Sequence, residues 1–337
     1  MSGPGVLRIG VLGAARITER ALIQPARALP GVTVTAVAAR DPARADEFAL
    51  QHGITVTHPS YDALLADPNV DAVYVPLPNA LHAPWTVRAI AAGKHVLCEK
   101  PFASNAAEAA EVADAAAGSG LVVMEAMHYR YHPLVRRMVS LLRSGAIGTV
   151  RHAQCWTTWP VPDLGDIRYD YAFGGGALMD GGCYAVDCLR LVAGEPSVGG
   201  ALADPLPAPR DTVDRAMAAR LEFPAGVTGW FESAFTRAGE FRADVYVTGD
   251  EGTLWLRNFI AAHEGRLSVF PNEAAASEEA PDSGGAADTS FGWQLRAFVA
   301  AVQDGAPVET TADNAVATMR VIDDVYRAAS LPPRGSA

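Results

Sequence analysis

The chain has 337 residues, of which 50% are hydrophobic and 19% charged, and its formal net charge is -11. That length exceeds one small core and predicts two domains, while the composition is that of a packed protein and excludes a disordered one. The acidic balance argues against a nucleic-acid partner, because repulsion would oppose every encounter with a phosphate backbone, although a local basic pocket can still hold one nucleotide.

Cys98, Cys155, Cys183 and Cys188 form no CxxC pair or other zinc spacing, so they read as buried reduced thiols and no metal is expected. The start MSGPGVLRIG lacks the basic beginning and long apolar core of a secretion signal, and no apolar run approaches about 18 residues. A cytoplasmic protein without a membrane partner is expected.

The first apolar run, LRIGVL from Leu7, leads into GAARI. Gly13 falls where a strand must turn sharply into a helix, and Gly13, Ala14, Ala15, Arg16 and Ile17 would offer that turn to a pyrophosphate. Ala15 and Thr18 stand where the GxGxxG fingerprint has its second and third glycines, and a tight turn without a ligand would look similar. Pro25 kinks or shortens the helix that follows. The second strand, VTVTAVA, ends in Ala39, Arg40 and Asp41. An NAD site usually places a carboxylate there for the ribose 2'-hydroxyl, whereas Arg40 could pair with a 2'-phosphate, so NADP(H) is preferred and NAD(H) is the alternative. The competing reading makes Arg40 a solvated charge and Asp41 the cap of a helix beginning at Pro42.

Ser60 caps YDALLA, and the strand AVYVPL then runs into PLPNALH, which puts Pro78, Asn79 and His82 at the strand's C-terminal edge, where doubly wound sheets bind ligands. A helix cap and a surface histidine are the competing reading of Asn79 and His82. HVLCEK carries Glu99 and Lys100 to the same edge, and a lysine there is hard to explain as surface decoration. Asn105 caps AAEAAEVADAAA, and LVVME completes five parallel strands joined by crossover helices.

In EAMHYRYHP, just past the domain junction, His128 and Arg130 could line a pocket, with a structural interdomain role equally open for Arg130. A helix from Pro133 to about Leu142 precedes the runs VRHAQCWTT, DRAMAARLEF, VTGWFESAF, ADVYVTG and GTLWLR, whose short joints imply an antiparallel meander. Arg168, in GDIRY, is a weaker candidate for the nicotinamide or the substrate. In GGGALMDGGCYAVD, Gly174, Gly175 and Gly176 would let backbone approach a ligand. Asp180, Tyr184 and Asp187, at i, i+4 and i+7, would share a helix face looking into the cleft. The acidic, small-residue segment from Asn272 to Ser290 reads as a mobile loop, and helices near Trp293 to Gln303 and Ala312 to Ala329 close the chain.

The expected architecture is an α/β Rossmann domain with a doubly wound parallel sheet over residues 1–125. An α+β domain with an open, mainly antiparallel sheet follows over residues 126–337, serving substrate binding and oligomerisation, with the closing helices able to pack back towards the first domain.

Together, GVLGAARI, DAVYVPLPNALH, AGKHVLCEKP, GGGALMDGGCYAVD and GDEGTL resemble the glucose-fructose oxidoreductase and inositol dehydrogenase family, Gfo/Idh/MocA, over nearly the whole chain. The sugar ketoreductase and dihydrodiol dehydrogenase branches are the most similar. The resemblance implies that Lys100 lies beside the nicotinamide and the reacting oxygen, that Glu99 holds that arrangement, and that Asn79 and His82 contact the nicotinamide ribose. Tyr184 stands where many relatives carry histidine and the two named branches carry tyrosine, which makes it the expected general acid. Lys100 would favour its phenolate and stabilise negative charge developing on the carbonyl oxygen. Asp180 would orient Lys100 or a substrate hydroxyl, the alternative being a buried tyrosine hydroxyl satisfied by a carboxylate.

The implied activity is an oxidoreductase acting on CH–OH groups, which moves a hydride between NADP(H) and a carbonyl or secondary alcohol of a small polyhydroxylated substrate: a sugar, keto sugar, cyclic polyol or dihydrodiol. Two alternatives stay open, a glycosidase that uses transient oxidation by retained NAD and a nonenzymatic dinucleotide-binding regulator. The resemblance also implies a homodimer or homotetramer in which a second subunit covers the open sheet.

Overall fold

Alternation and burial in the first third of the chain give a sheet covered on both faces. The computed structural model describes residues 5–236, 239, 241–281 and 285–335. Residues 1–4 of the segment read for a secretion signal, and 282–284 of the acidic segment, lie outside the described residues. The chain divides into two compact units, one within residues 1–103, 107–128 and 284–316, the other within 104–106, 129–283 and 317–337.

The first unit holds six strands, β1 (Leu7–Leu12), β2 (Val32–Ala38), β3 (Val56–His58), β4 (Ala72–Val75), β5 (His95–Cys98) and β6 (Val123–Glu125). They lie in the order β3-β2-β1-β4-β5-β6, and all adjacent pairs are parallel. All four β4 residues are buried, as a parallel sheet sandwiched between helices requires. β3 is a three-residue edge strand with an exposed Val56, so it carries no apolar run for a sequence reading to find.

The connections include α1 (Gln24–Ala28), α2 (Pro42–His52), α3 (Tyr61–Leu65), α4 (His82–Ala91) and α5 (Ala106–Ala116). A π turn, Glu19–Ile23, precedes α1 and brings Pro25 into the first positions of the α-helix, where its missing N–H does least harm. Asp41 caps α2 by accepting from the Ala43 amide at 3.0 Å, and Ser60 caps α3 by accepting from the Ala63 amide at 3.1 Å.

The second unit holds α6 (Pro133–Arg143), β7 (Val150–Pro160) and α7 (Cys183–Ala193), followed by β8 (Ser197–Pro205), β9 (Asp214–Glu222), β10 (Thr228–Thr236), β11 (Arg242–Gly249) and β12 (Gly252–Arg257). β13 (Arg266–Pro271) and β14 (Ser277–Glu279) complete an eight-stranded sheet in the order β14-β13-β12-β11-β7-β10-β9-β8. The β7 and β10 pair is parallel and the rest are antiparallel. A pure meander is therefore corrected to a mixed sheet: β7 sits between β11 and β10, which are far from it in sequence. β8, with two adjacent glycines, β13, and β14, inside the acidic segment, escaped the sequence reading.

That acidic segment is not simply a mobile loop. Glu278 accepts from Arg257 at 2.6 Å, and Glu279 pairs with Arg137 at 3.1 Å. α8 (Ser290–Asp304) belongs to the first unit and starts three residues earlier than expected, because Thr289 accepts from the Gly292 amide. α9 (Ala312–Ala328) follows it.

On β7, Ala153, Cys155 and Thr157 are buried in alternation, and on β10, Phe231, Ser233 and Phe235. The opposite face carries half-buried Trp156, Trp230, Tyr246 and Trp255. Trp156 meets Trp230 edge-on at 5.2 Å, and the Arg242 guanidinium lies 3.8 Å from the Trp156 ring centre. All four cysteines are buried and unbridged. Among the described residues, no helix is long and apolar enough to cross a membrane, and no group of three His, Cys, Asp or Glu side chains is placed to hold a metal ion.

Candidate active site

In the first unit the candidates gather at the C-terminal edge of the parallel sheet. The Gly13 amide donates to the Ala38 carbonyl at 2.7 Å, and Gly13 has φ +111. A Cβ there would meet Leu77 at 3.0 Å. The positive φ favours glycine, and the Leu77 methyl leaves little room for a side chain at this turn. Ala14, Ala15 and Ile17 are half-buried and Arg16 is exposed beyond it.

At the end of β2, Arg40 is exposed and the Asp41 carboxylate is turned to its helix cap. Arg44, one turn into α2, reaches back to the Ala14 carbonyl at 3.4 Å. Tyr61 completes this corner. Burial pushes its phenol above the usual range, while the Arg40 amide and the charges of Arg40 and Arg44 pull it back. Two guanidinium groups beside a tyrosine, with the nearest carboxylate occupied, fit an adenosine 2'-phosphate better than a bare 2'-hydroxyl. Arg44 and Tyr61 were missed in the sequence. The only signal was the spacing of Arg40 and Arg44, which a solvated helix start shows equally often.

Lys100, half-buried, follows β5 and is joined to Pro101 by a cis peptide. The chain around it is held at the Lys100 amide and at the Pro101 carbonyl. Glu99, 7% exposed, accepts from the Tyr74 hydroxyl at 2.6 Å and from the Lys100 amide at 3.3 Å. His82 lies with Nδ1 2.6 Å from the Pro101 carbonyl and Nε2 2.7 Å from the Leu77 carbonyl.

The resemblance implies a nicotinamide-ribose contact for His82; in the structure the ring is buried and both nitrogens face backbone carbonyls, those of Leu77 and Pro101, so it braces the chain just after Lys100. Burial lowers the imidazole to about 4, against the pull of the two carbonyls and with the Lys100 charge adding to the drop. A neutral ring donates to only one of those carbonyls. Burial is the larger influence on the ring, lowering it more than the two carbonyls raise it. Pro78 and Asn79 open the short 3-10 turn Asn79–Leu81 between β4 and α4.

His128 is 2% exposed, its Nδ1 lies 2.8 Å from the Ser290 hydroxyl, and its ring is tilted against Phe291 with centroids 3.9 Å apart.

In the second unit a π turn, Leu178–Gly182, leads into α7. Asp180 sits in that turn and accepts from Arg168 Nε at 2.9 Å and Trp159 Nε1 at 3.3 Å. Arg168 also bonds both Asp166 oxygens at 3.2 Å, and the two carboxylates, Asp180 foremost, raise its already high pKa. Arg168 and Asp180 thus belong together, a pairing that the sequence placed twelve residues apart without suggesting.

Tyr184, 5% exposed, packs edge-on to Tyr129 with centroids 6.0 Å apart. Asp187 is corrected: it is fully buried, accepts from the Tyr129 hydroxyl at 2.5 Å, and pairs with Arg130 at 3.4 Å. The wider π turn shifts the phase of Asp180 relative to Tyr184 and Asp187, which keep their i, i+3 relation inside α7. Arg130 thus pairs with a buried carboxylate. The glycine run is corrected as well, because the space beside Gly175 is filled by the Arg168 and Asp170 carbonyls, each within 2.7 Å of where a Cβ would stand.

A parallel dinucleotide-type sheet with a lysine at its working edge, and a partner unit built on a mixed sheet, define a nicotinamide-dependent oxidoreductase. Residues 7–127 match the oxidoreductase family with an NAD-binding Rossmann fold, and residues 135–255 match the GFO/IDH/MocA C-terminal domain. The chain belongs to the GFO/IDH/MocA oxidoreductase family. It is 36% identical over 337 residues to a D-xylose 1-dehydrogenase (NADP(+)) of Haloferax volcanii, covering 96% of this chain and 97% of that protein. It is 33% identical over 327 residues to a dTDP-3,4-didehydro-2,6-dideoxy-alpha-D-glucose 3-reductase of Actinomadura kijaniata, covering 95% and 94%. A 3-ketoreductase from Actinomadura kijaniata, solved in complex with NADP and TDP-benzene, superposes with a TM-score of 0.86 at 31% identity, over 96% of this chain and 97% of that one.

Proposed function

We propose that the chain moves a hydride between NADP(H) and a carbonyl or secondary alcohol of a sugar or keto sugar, with Lys100 and Tyr184 both serving the reacting oxygen. The observation that carries this reading is the anchoring of the chain on both sides of the Lys100 side chain at the sheet's C-terminal edge, by Glu99 on the Lys100 amide and by His82 on the Pro101 carbonyl. A surface lysine needs no such support, whereas a cation that must meet a developing alkoxide within a fraction of an ångström does.

The bound nicotinamide supplies or accepts the hydride. Lys100 stabilises the charge that accumulates on the oxygen, and Tyr184 donates the proton in reduction and accepts it in oxidation. Asp180, paired with Arg168, orients substrate hydroxyls rather than Lys100. Gly13 with Ala14, Ala15, Arg16 and Ile17 receives the pyrophosphate, and Arg40, Arg44 and Tyr61 hold the 2'-phosphate. The sugar class rests on the xylose dehydrogenase and keto-sugar reductase relatives, both of which act on sugar-type substrates by name.

The test follows absorbance at 340 nm with NADP+ and with NAD+ against D-xylose, other aldoses, polyols and dihydrodiols, and with NADPH against keto sugars. Turnover of a sugar, faster with the phosphorylated cofactor and lowered by roughly a hundredfold or more in Lys100→Met, is expected. Tightly held cofactor with no net reduction or oxidation across the whole panel would contradict the proposal.

A further inference from the structure

Arg334 has no exposed surface, although it lies in the irregular segment after α9. Its Nε donates to the Gly175 carbonyl at 2.5 Å, its Nη1 to the Pro332 carbonyl at 3.1 Å, and its Nη2 to Asp214 Oδ1 at 2.6 Å. The guanidinium lies 4.1 Å from the Tyr326 ring centre and 5.0 Å from that of Tyr171. The surrounding backbone is also tied down, since Tyr171 donates to the Pro333 carbonyl and Asn105 to the Arg334 carbonyl, each at 2.9 Å.

Asp214, equally buried, is shared. Its Oδ1 takes the Tyr326 hydroxyl at 2.9 Å as well as Arg334, and its Oδ2 takes the Leu178 amide at 2.7 Å. The ion pair therefore grips one short turn at two points, the Gly175 carbonyl and the Leu178 amide. Between them Gly176 has φ +129, and a Cβ on it would collide with Asp214 Oδ1 and stand 2.7 Å from Arg334 Nη2. The Gly176 carbonyl in turn accepts from the Asp180 amide at 3.0 Å, opening the π turn that carries Asp180 and leads to Tyr184.

A buried ion pair is a poor source of stability, because desolvation offsets most of its attraction and apolar replacements are often neutral; what it fixes well is geometry. We propose that Arg334 is a positioning residue for the reaction: through Asp214 and the Gly175 carbonyl it sets the starting point of the helical segment that presents Asp180 and Tyr184. This rests on the assignment of Asp180 and Tyr184 to the reacting centre. Arg334 touches neither substrate nor cofactor and acts only through the turn.

The experiment compares wild type with Arg334→Lys and with the apolar pair Arg334→Met/Asp214→Leu, which removes both charges and so avoids an orphaned buried carboxylate. The readouts are NADP+ affinity by fluorescence titration, kcat and KM for NADP+ with the best sugar of the activity panel, and amide hydrogen exchange over residues 174–184.

Arg334→Lys keeps the charge but loses the planar fork. It is expected to fold and bind NADP+ within about twofold of wild type, to exchange the 176–182 amides faster, and to lose roughly tenfold to a hundredfold in kcat with KM for NADP+ unchanged, the loss typical of a small misplacement. The apolar pair is expected to show the same split. Wild-type kcat in either folded variant would overturn the proposal, as would a loss of activity that merely tracks the fraction of folded protein. Tyr184→Phe is measured alongside. Near-normal turnover there defeats the assignment of the acid, while the kcat and exchange of Arg334→Lys still decide the role of Arg334 on their own.

Discussion

Replacing His82 by Gln removes a buried titrating ring and leaves an amide able to reach one of the two carbonyls it serves. In the folded protein the imidazole is held down to about 4 by burial, against 6.5 for an ordinary histidine. At about 1.4 kcal/mol per pH unit, that gap is on the order of 3 kcal/mol. Because the folded pKa is depressed, the unfolded chain takes up a proton near pH 6.5 while the folded one waits until about pH 4. Stability conferred by His82 is therefore complete above pH 6.5, declines as pH falls through the window from 6.5 to 4, and is flat below it.

The assay is urea unfolding of wild type and His82→Gln at pH 7.5, 6, 5 and 4, with the difference between the two proteins taken at each pH so that titrations common to both cancel. The wild-type advantage should shrink by on the order of 3 kcal/mol across the window. A difference that stays constant or grows on acidification would show that the ring is charged when folded and donates to both the Leu77 and Pro101 carbonyls, and the account of the Lys100 clamp would have to be rewritten.

Arg40→Ala and Arg44→Ala should each weaken NADP+ binding roughly tenfold to a hundredfold, the worth of about 1.5 to 3 kcal/mol for a charge-assisted contact, and leave NAD+ nearly unchanged. Equal losses for both cofactors in a titration would assign those arginines to something other than the 2'-phosphate. We further propose that the half-buried tryptophans of the eight-stranded sheet are covered by a second copy of the chain. Trp230→Glu should then convert a dimer or tetramer to smaller species in light scattering, because a central aromatic at an interface is worth about 2 kcal/mol or more. A wild-type monomer at micromolar concentration would end that proposal.

The sequence carried the parallel sheet almost entirely, since the strands from LRIGVL to LVVME are apolar runs that admit few other readings; only β3, polar and at the edge, was silent. The mixed sheet was legible in five of its eight strands but not in its order, because the β7 and β10 pairing joins segments separated by two further strands and a helix. At the site, Gly13, Glu99 and Lys100 stood out because a turn and a strand end fix where a residue can lie. His82, His128, Arg130 and Asp187 did not resolve, because whether a polar side chain faces a cleft or a backbone carbonyl depends on packing that spacing does not encode. The π turn at Leu178–Gly182 shows the limit most clearly: one widened turn shifts the phase of Asp180 against Tyr184 and Asp187, which the i, i+4 and i+7 spacing does not encode. Arg334 lay wholly outside any motif, and nothing in Pro-Pro-Arg-Gly suggests a buried ion pair.

The most direct test of the central claim is the turnover of Lys100→Met, Tyr184→Phe and the double variant, measured with saturating NADP+ and the best sugar of the panel. Each single substitution should lower kcat by roughly a hundredfold to ten-thousandfold, with folding and NADP+ affinity nearly intact. The double should cost far less than the product of the two, because groups that serve one oxygen act as a unit. Fully multiplicative losses, or near-normal turnover in Tyr184→Phe, would contradict the assignment of both residues to the reacting oxygen.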